Sequence, residues 1–321
     1  MLKEAGVKEK GESLKEPDVA KQQERSALPY GIRPPAFRLP DSTHVGTVHL
    51  LVSDLARSIA YYQQVTGLHV HSTTSDSAAL GPTGDARPLL TLQARPGITA
   101  ARRGAFGLYH FAILLPDRAA LGRFAAHLSA RGQRAGMADH LVSEALYLWD
   151  PDGLGIEVYA DRPRDTWQRQ DRELAMTTDP LDIRSVIASA GGETWDGAPP
   201  GTIIGHVHLH VGSLEEAETF YHRALGFDKT VWSYPGALFL SAGGYHHHLG
   251  TNVWSAGPAP SASEARLLEW ELLVPSEADL AVARDSLRTN GYRPEETSNG
   301  VTAPDPWGTS LRMRAVKGPS A

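Results

Sequence analysis

At 321 residues the chain exceeds what one hydrophobic core usually organises, so two compact units are expected. A formal net charge of -6 excludes the basic footprint of a nucleic-acid binder and supplies no polybasic run for an anionic membrane. The absence of cysteine removes disulfides, thiolate catalysis and Cys-held zinc, leaving carboxylates and fourteen histidines to hold any metal. No apolar run approaches the roughly 18 residues of a membrane span, and no apolar leader opens the sequence, so a cytoplasmic location is the expectation.

Residues 1–29 are rich in Lys, Glu, Ser and Gln, bury too little apolar surface to offset ordering entropy, and read as a disordered tail. A repeat follows. Residues 47–67 (TVHLLVSDLARSIAYYQQVTG) align with 206–226 (HVHLHVGSLEEAETFYHRALG), each an alternating strand followed by a helix. Leu55, Ile59 and Tyr62 keep helical spacing in the first copy, as do Leu214, Ala217 and Tyr221 in the second. Asp54 and Ser213 stand at the N-caps, Ser213 with Glu216 as a capping box, and Gly67 and Gly226 at the stops. A second repeat pairs 108–116 (LYHFAILLP) with 267–275 (LLEWELLVP); a helix and an Asp-Pro-x-Gly turn before a last strand follow each. Thr47 to His110 is an interval of 63 residues, and so is His206 to Glu269. Equal offsets on either side of a long polar stretch indicate duplication.

The chain order is therefore a first domain over residues 30–162 holding modules 1 (43–95) and 2 (107–160), a linker over 163–202, and a second domain over 203–316 holding modules 3 (203–256) and 4 (266–316). Each module is a βαβββ unit. One alone presents a half-open sheet, so two have to pair to bury that face and enclose a cavity.

The stretches YHFAILLPDR, SEALYLWDPDGLGIEVYADRPRDTW, GHVHLHV and SAGGYHHHLGTNVW resemble the vicinal oxygen chelate superfamily (glyoxalases, bleomycin resistance proteins, extradiol dioxygenases), and most closely its two-domain catechol 2,3-dioxygenase-like proteins. The resemblance spans residues 43 to 316. It implies an α+β fold of four tandem modules forming two half-barrel pairs. It also implies metal ligands at the start of a module's first strand and in its last strand.

Those slots hold Thr47, His110, His206 and Glu269 in the first strands, and Glu157 and Arg312 in the last strands of modules 2 and 4. Pairing module 2 with 3 collects His110, Glu157 and His206, the two-His-one-carboxylate set that leaves open positions on a non-haem Fe(II), with Mn(II) as the other candidate. The outer pairing collects Thr47, Glu269 and Arg312, which hold no cation. Hydroquinone-cleaving members of the family pair outer and inner modules in this way. The alternative is a conventional site in modules 1 and 2, with His49, on the same strand face as Thr47, in place of His206.

His208 and His210 alternate with His206, and read either as supporting imidazoles or as core histidines. In Tyr245-His246-His247-His248, strand alternation places His246 and His248 on one face and His247 on the other; one of the first two is expected to face the metal cavity, and a polar surface cluster is the other reading. Tyr147 and His140 precede Glu157 by 10 and 17 residues. The family resemblance gives such a pair the task of hydrogen-bonding substrate and oxygen and moving a proton. The further His that family members carry before the second-module strand is missing, and His246 or His248 stands in for it.

The function implied is extradiol cleavage of a catechol, a substituted catechol or a hydroquinone with dioxygen at one Fe(II). Two other readings are open: a glyoxalase-type metal-dependent isomerase or lyase, and a small-molecule-binding protein without catalysis. The expected partners are the aromatic diol and dioxygen, with a homo-oligomer compatible because edge strands of such modules often pair between subunits.

Overall fold

The computed structural model describes residues 30–255 and 257–316; the expected tail over 1–29 lies outside them. Module 1 comprises β1 (His44–Val52), α1 (Leu55–Tyr61), β2 (His69–Thr73), β3 (Ser77–Gly81) and β4 (Leu90–Ala94). Module 2 comprises β5 (Gly107–Leu114), α2 (Arg118–Ala130), β6 (Gly136–Asp139), β7 (Ser143–Trp149) and β8 (Gly155–Asp161). The stretch between the halves carries a short hairpin, β9 (Arg169–Gln170) with β10 (Glu173–Leu174), and α3 (Ile183–Ala188). Module 3 comprises β11 (Ile203–His210), α4 (Leu214–Ala217), β12 (Asp228–Val231), β13 (Ala237–Ser241) and β14 (Leu249–Asn252). Module 4 comprises β15 (Arg266–Val274), α5 (Glu277–Thr289), β16 (Glu295–Thr297), β17 (Gly300–Pro304) and β18 (Ser310–Ala315). The chain is α+β, four βαβββ modules as the repeats require. Among the described residues no helix is long and apolar enough to cross a membrane.

The helices start where the sequence caps them. Asp54 and Asp117 accept from the N–H groups of Arg57 and Ala120, and Ser213 and Ser276 from those of Glu216 and Asp279. α1 and α4 both widen into a π-type turn, over Tyr62–Thr66 and Glu218–Ala224. Gly67 follows the first with φ +73°, a left-handed stop that a side chain would strain.

Two eight-stranded curled sheets result, ordered β16-β17-β18-β15-β1-β4-β3-β2 and β12-β13-β14-β11-β5-β8-β7-β6. Each is closed at its centre by an antiparallel first-strand pair: β1 with β15, and β5 with β11. The sheets therefore join module 1 to module 4 and module 2 to module 3, so each sheet draws one module from either side of the 163–202 stretch. Chain order groups modules 1 with 2 and 3 with 4; the β-ladders do not. Helix contacts tie the chain-order neighbours instead, Tyr62 of module 1 donating to Asp150 of module 2 and Tyr221 of module 3 to Asp305 of module 4.

The core lies mainly between helices and sheets. Leu50, Val52, Phe111, Ile113, Val207, Leu209, Trp270 and Leu272 alternate along the four first strands and pack under Tyr62, Phe124, Tyr221 and Leu287. Their alternation leaves the other face of each sheet for a cavity.

Candidate metal centre

The inner sheet forms the site as one row of neighbours. In the parallel pair of β5 and β8, Glu157 lies beside Ala112; across β5 and β11, Ala112 faces His206; across β7 and β8, Tyr147 faces Glu157. Residues in one row share a face, so Tyr147, Glu157, Ala112 and His206 all leave the sheet on its cavity side. His110 is two residues before Ala112 and on the same face. Ala112, small and fully buried, gives the longer side chains room to close over it. A bulge at Gly205, between the pairs Ile204–Ile113 and His206–Ala112, sets the register that makes this row. At Gly155 a Cβ would come within 2.0 Å of the Tyr109 carbonyl and 3.1 Å of the His110 Cβ, so glycine lets β8 approach the His110 strand closely.

Ligand atoms of His110, Glu157 and His206 all lie within 4.8 Å of one another, and all three residues are buried. Glu157 Oε2 is 3.1 Å from His206 Nε2 and 3.0 Å from His110 Nε2. The first contact is a hydrogen bond, whereas His110 Nε2 is misaligned and buried without a hydrogen-bond partner. Two imidazole nitrogens and a carboxylate aimed at one point, one of the nitrogens otherwise unpartnered, form a donor set that fits a divalent cation. Burial pushes the Glu157 carboxyl up, but the adjoining His206 and His110 imidazoles outweigh it and hold it well below the usual carboxylate range. Burial lowers His206 to about 4 against the pull of Glu157, so at neutral pH it is an uncharged donor beside a carboxylate anion.

Tyr147 stands against the triad, its ring 5.6 Å from that of His110, and burial together with the Glu157 charge pushes its hydroxyl far up. Behind it, His140 Nε2 is 2.6 Å from the Tyr147 hydroxyl and Nδ1 is 2.5 Å from the Thr177 carbonyl. A carbonyl only accepts, so His140 carries its proton on Nδ1, and its Nε2 accepts from Tyr147. The stretch expected to be a linker thereby fixes a tautomer at the site.

The histidine run departs from its expected placement. It precedes β14 in a non-strand bend after Gly243 (φ +60°) and Gly244 (φ +64°), so strand alternation does not govern it. His247 is the residue on the cavity side, its ring 4.0 Å from that of His206. His246 sits behind it, with Nδ1 2.7 Å from His247 Nδ1 and Nε2 2.9 Å from Asp161. His248 is turned away from the triad; its Nδ1 accepts the Ala242 N–H and contacts Ser241 Oγ, both at 3.2 Å. His49 is corrected as well. It belongs to the outer sheet, opposite Glu269 and 3.8 Å from Glu271, and contributes nothing to the inner triad.

Among the described residues the outer sheet has no comparable centre. Arg312 pairs with Glu269 at 2.8 Å and Arg314 with Glu271 at 3.1 Å, so guanidinium groups occupy the place of a cation. A cavity of about 780 Å³ opens at that sheet's end, beside Glu271, Arg314 and Leu273, away from the inner triad.

Sequence alternation missed the aromatic wall beside the triad. Tyr109 falls in a bulge between the pairs His208–His110 and Leu209–Leu108, which brings its ring to 5.2 Å from His208 and 4.8 Å from His210. His208 is buried with Nε2 unpartnered, between His110, Tyr109, Phe239 and Trp254. His210 Nδ1 donates to Asn252 at 2.7 Å. The WSYPG turn before β13 and the strand-ending Trp254 were the available signals, aromatic residues with no place in an alternating core.

The fold is that of a duplicated βαβββ family, and the triad fits a metal site. The sequence model of the Glyoxalase/Bleomycin resistance protein/Dioxygenase superfamily matches residues 43–158 and 203–309, and the chain belongs to that superfamily. It is 46% identical over 273 residues to the catechol-2,3-dioxygenase of Bacillus subtilis (strain 168), covering 83% of this chain and 95% of the relative. That likeness marks it as a catechol 2,3-dioxygenase-like oxidoreductase. Among solved structures, a Bacillus subtilis protein provisionally named a dioxygenase superposes with a TM-score of 0.62 at 12% identity, covering 87% of this chain and 86% of that one. A glyoxalase I mutant from Zea mays superposes with a TM-score of 0.51 at 17% identity, covering 85% and 94%. At such identities the two structures share the fold.

Proposed function

We propose that the chain is an extradiol ring-cleaving dioxygenase that opens a catechol, a substituted catechol or a hydroquinone with dioxygen. His110, Glu157 and His206 hold one Fe(II), and Mn(II) is the other cation these donors accept. The observation that carries the reading is the convergence of two imidazoles and one carboxylate on the row Tyr147-Glu157-Ala112-His206, with the hydrogen-bonded His140–Tyr147 pair directly beside it. The kinship with a catechol-2,3-dioxygenase supports it.

Held by His110, Glu157 and His206, an Fe(II) would supply the coordination of the diol and the activation of dioxygen. The protein's own groups do the rest. Glu157 contributes one negative charge to the metal from a buried position. Tyr147, fixed by His140 and through it by the Thr177 carbonyl, presents its oxygen beside the substrate and passes a proton along a line that ends on His140. From the opposite wall His247 offers an uncharged imidazole for a hydrogen bond to the diol, and His246 and Asp161 hold its ring in place.

Anaerobic loading with Fe(II), followed by air and a panel of catechols and hydroquinones, tests the reading. Stoichiometric oxygen uptake and a yellow semialdehyde chromophore are expected. Iron-loaded protein that consumes no oxygen with any diol would overturn it.

A further inference from the structure

The wall beside the triad is continuous and aromatic. It runs from His110 to Tyr109 with ring centroids 4.9 Å apart, from Tyr109 to Trp254 at 5.7 Å, and from Trp254 to Tyr234 at 6.3 Å. Inward, Phe239 links it to His208 at 5.7 Å and to His247 at 4.9 Å. Tyr109 and Trp254 are among the few large apolar residues left open, at 37% and 48% exposure. Trp254 and its neighbour Tyr234 are anchored by hydrogen bonds. Trp254 donates its indole N–H to the Pro235 carbonyl and its backbone N–H to Asn252 Oδ1, the atom that also takes His210. The Tyr234 hydroxyl bonds Thr178. A half-exposed ring fixed in this way offers its face at little entropic cost.

The wall carries no cation. No lysine or arginine stands among its rings, which are phenols, a phenyl, an indole and imidazoles. An anionic substituent placed here loses hydration and gains no counter-charge, whereas a ring or alkyl group gains stacking and burial.

We propose that Tyr109, Trp254, Tyr234 and Phe239 form the subsite for the unreactive part of the diol, and that the site selects catechols with neutral aryl or alkyl substituents over catechols bearing a carboxylate. This rests on the dioxygenase reading for the identity of the diol, but not for the preference itself, which binding measures without turnover.

Calorimetric titration of the Fe(II)-loaded full chain under nitrogen, with 4-phenylcatechol, catechol and 3,4-dihydroxybenzoate, tests it. Phenylcatechol is expected to bind at least about tenfold more tightly than the carboxylated diol. Trp254→Ala should lose about tenfold on phenylcatechol and less than about twofold on catechol, and Trp254→Phe should recover most of the loss. Trp254→Arg should move the preference toward 3,4-dihydroxybenzoate by a similar factor. Equal affinity for the phenyl and carboxylated diols, or an equal loss on all three in Trp254→Ala, overturns the subsite. Admitting air separates the two claims. The binding preference without oxygen uptake rejects the dioxygenase reading and leaves the subsite standing; oxygen uptake without the preference does the reverse.

Discussion

The Tyr221 hydroxyl donates to Asp305 Oδ2 at 2.9 Å, and in the other half of the chain Tyr62 makes the same bond to Asp150 Oδ2 at 3.1 Å. Each joins the helix of one module to the turn before the last strand of the next, so the duplication is preserved as a buried polar contact as well as in the strand pattern. Burial pushes Asp150 up to about 6, against the Leu154 and Asp152 N–H groups and the Tyr62 hydroxyl. The folded chain therefore binds this proton more tightly than the unfolded one, and stability falls as pH rises from the ordinary carboxylate range through about 6. Asp150→Asn should flatten that decline, seen as a smaller difference between urea midpoints at pH 5 and pH 8. A decline of unchanged size would remove Asp150 as its source. Tyr221→Phe should cost about 2 kcal/mol at neutral pH by the same measurement.

Metal retention should follow the inner triad alone. His206→Ala and Glu157→Gln are expected to leave less than a tenth of the iron after desalting, on the order of the effect of removing a first ligand. His49→Ala and Arg312→Leu should retain it in full, as read by elemental analysis. If His49→Ala loses the metal and His206→Ala keeps it, the centre belongs to the outer sheet instead.

Tyr147→Phe keeps the ring and removes the hydroxyl that points at His140. Metal content should stay unchanged while kcat/KM on the best diol falls on the order of a hundredfold. His140→Ala should fall by a similar factor, and the double variant by little more than either alone, because the two act as one unit. Additive losses would argue that the two residues act separately.

His248 is lowered to about 3 by burial, with His246, His44 and Arg164 adding. An unfolded histidine binds its proton near 6.5, so the unfolded state takes up the proton first and stability drains as pH falls from about 6.5 toward 3, at most about 1.4 kcal/mol per pH unit for one group. His248→Asn retains an acceptor for the Ala242 N–H and should lessen the acid sensitivity. Urea unfolding of the metal-free protein at pH 5 and pH 7.5 measures this, and an identical loss in the variant would exclude His248.

The architecture was legible because it repeats: caps, stops and the 63-residue interval fix four modules before any contact is known. The pairing of modules 2 and 3 was legible through chemistry, since only that pairing puts two imidazoles and a carboxylate in the slots the family resemblance assigns to ligands. The histidine run was misread because alternation holds only along a strand, and Gly243 and Gly244 turn the chain just before it, bringing His247 rather than His248 to the cavity. Tyr109 was missed for a related reason, since a bulge changes which neighbour a residue meets and leaves little trace in the apolar pattern. The role of Thr177 depends on a main-chain carbonyl, which any residue provides.

The crossed pairing of modules makes the two halves of the chain mutually dependent. A ribosome that has released only the amino-terminal half has made two sheets each lacking its central partner, with β1 and β5 both exposing open backbone edges. In the folded chain each of these edges is covered by a strand of the other half, β1 by β15 and β5 by β11. His110 and Glu157 lie in the first half and His206 in the second, so separately expressed halves should regain a metal centre only when mixed.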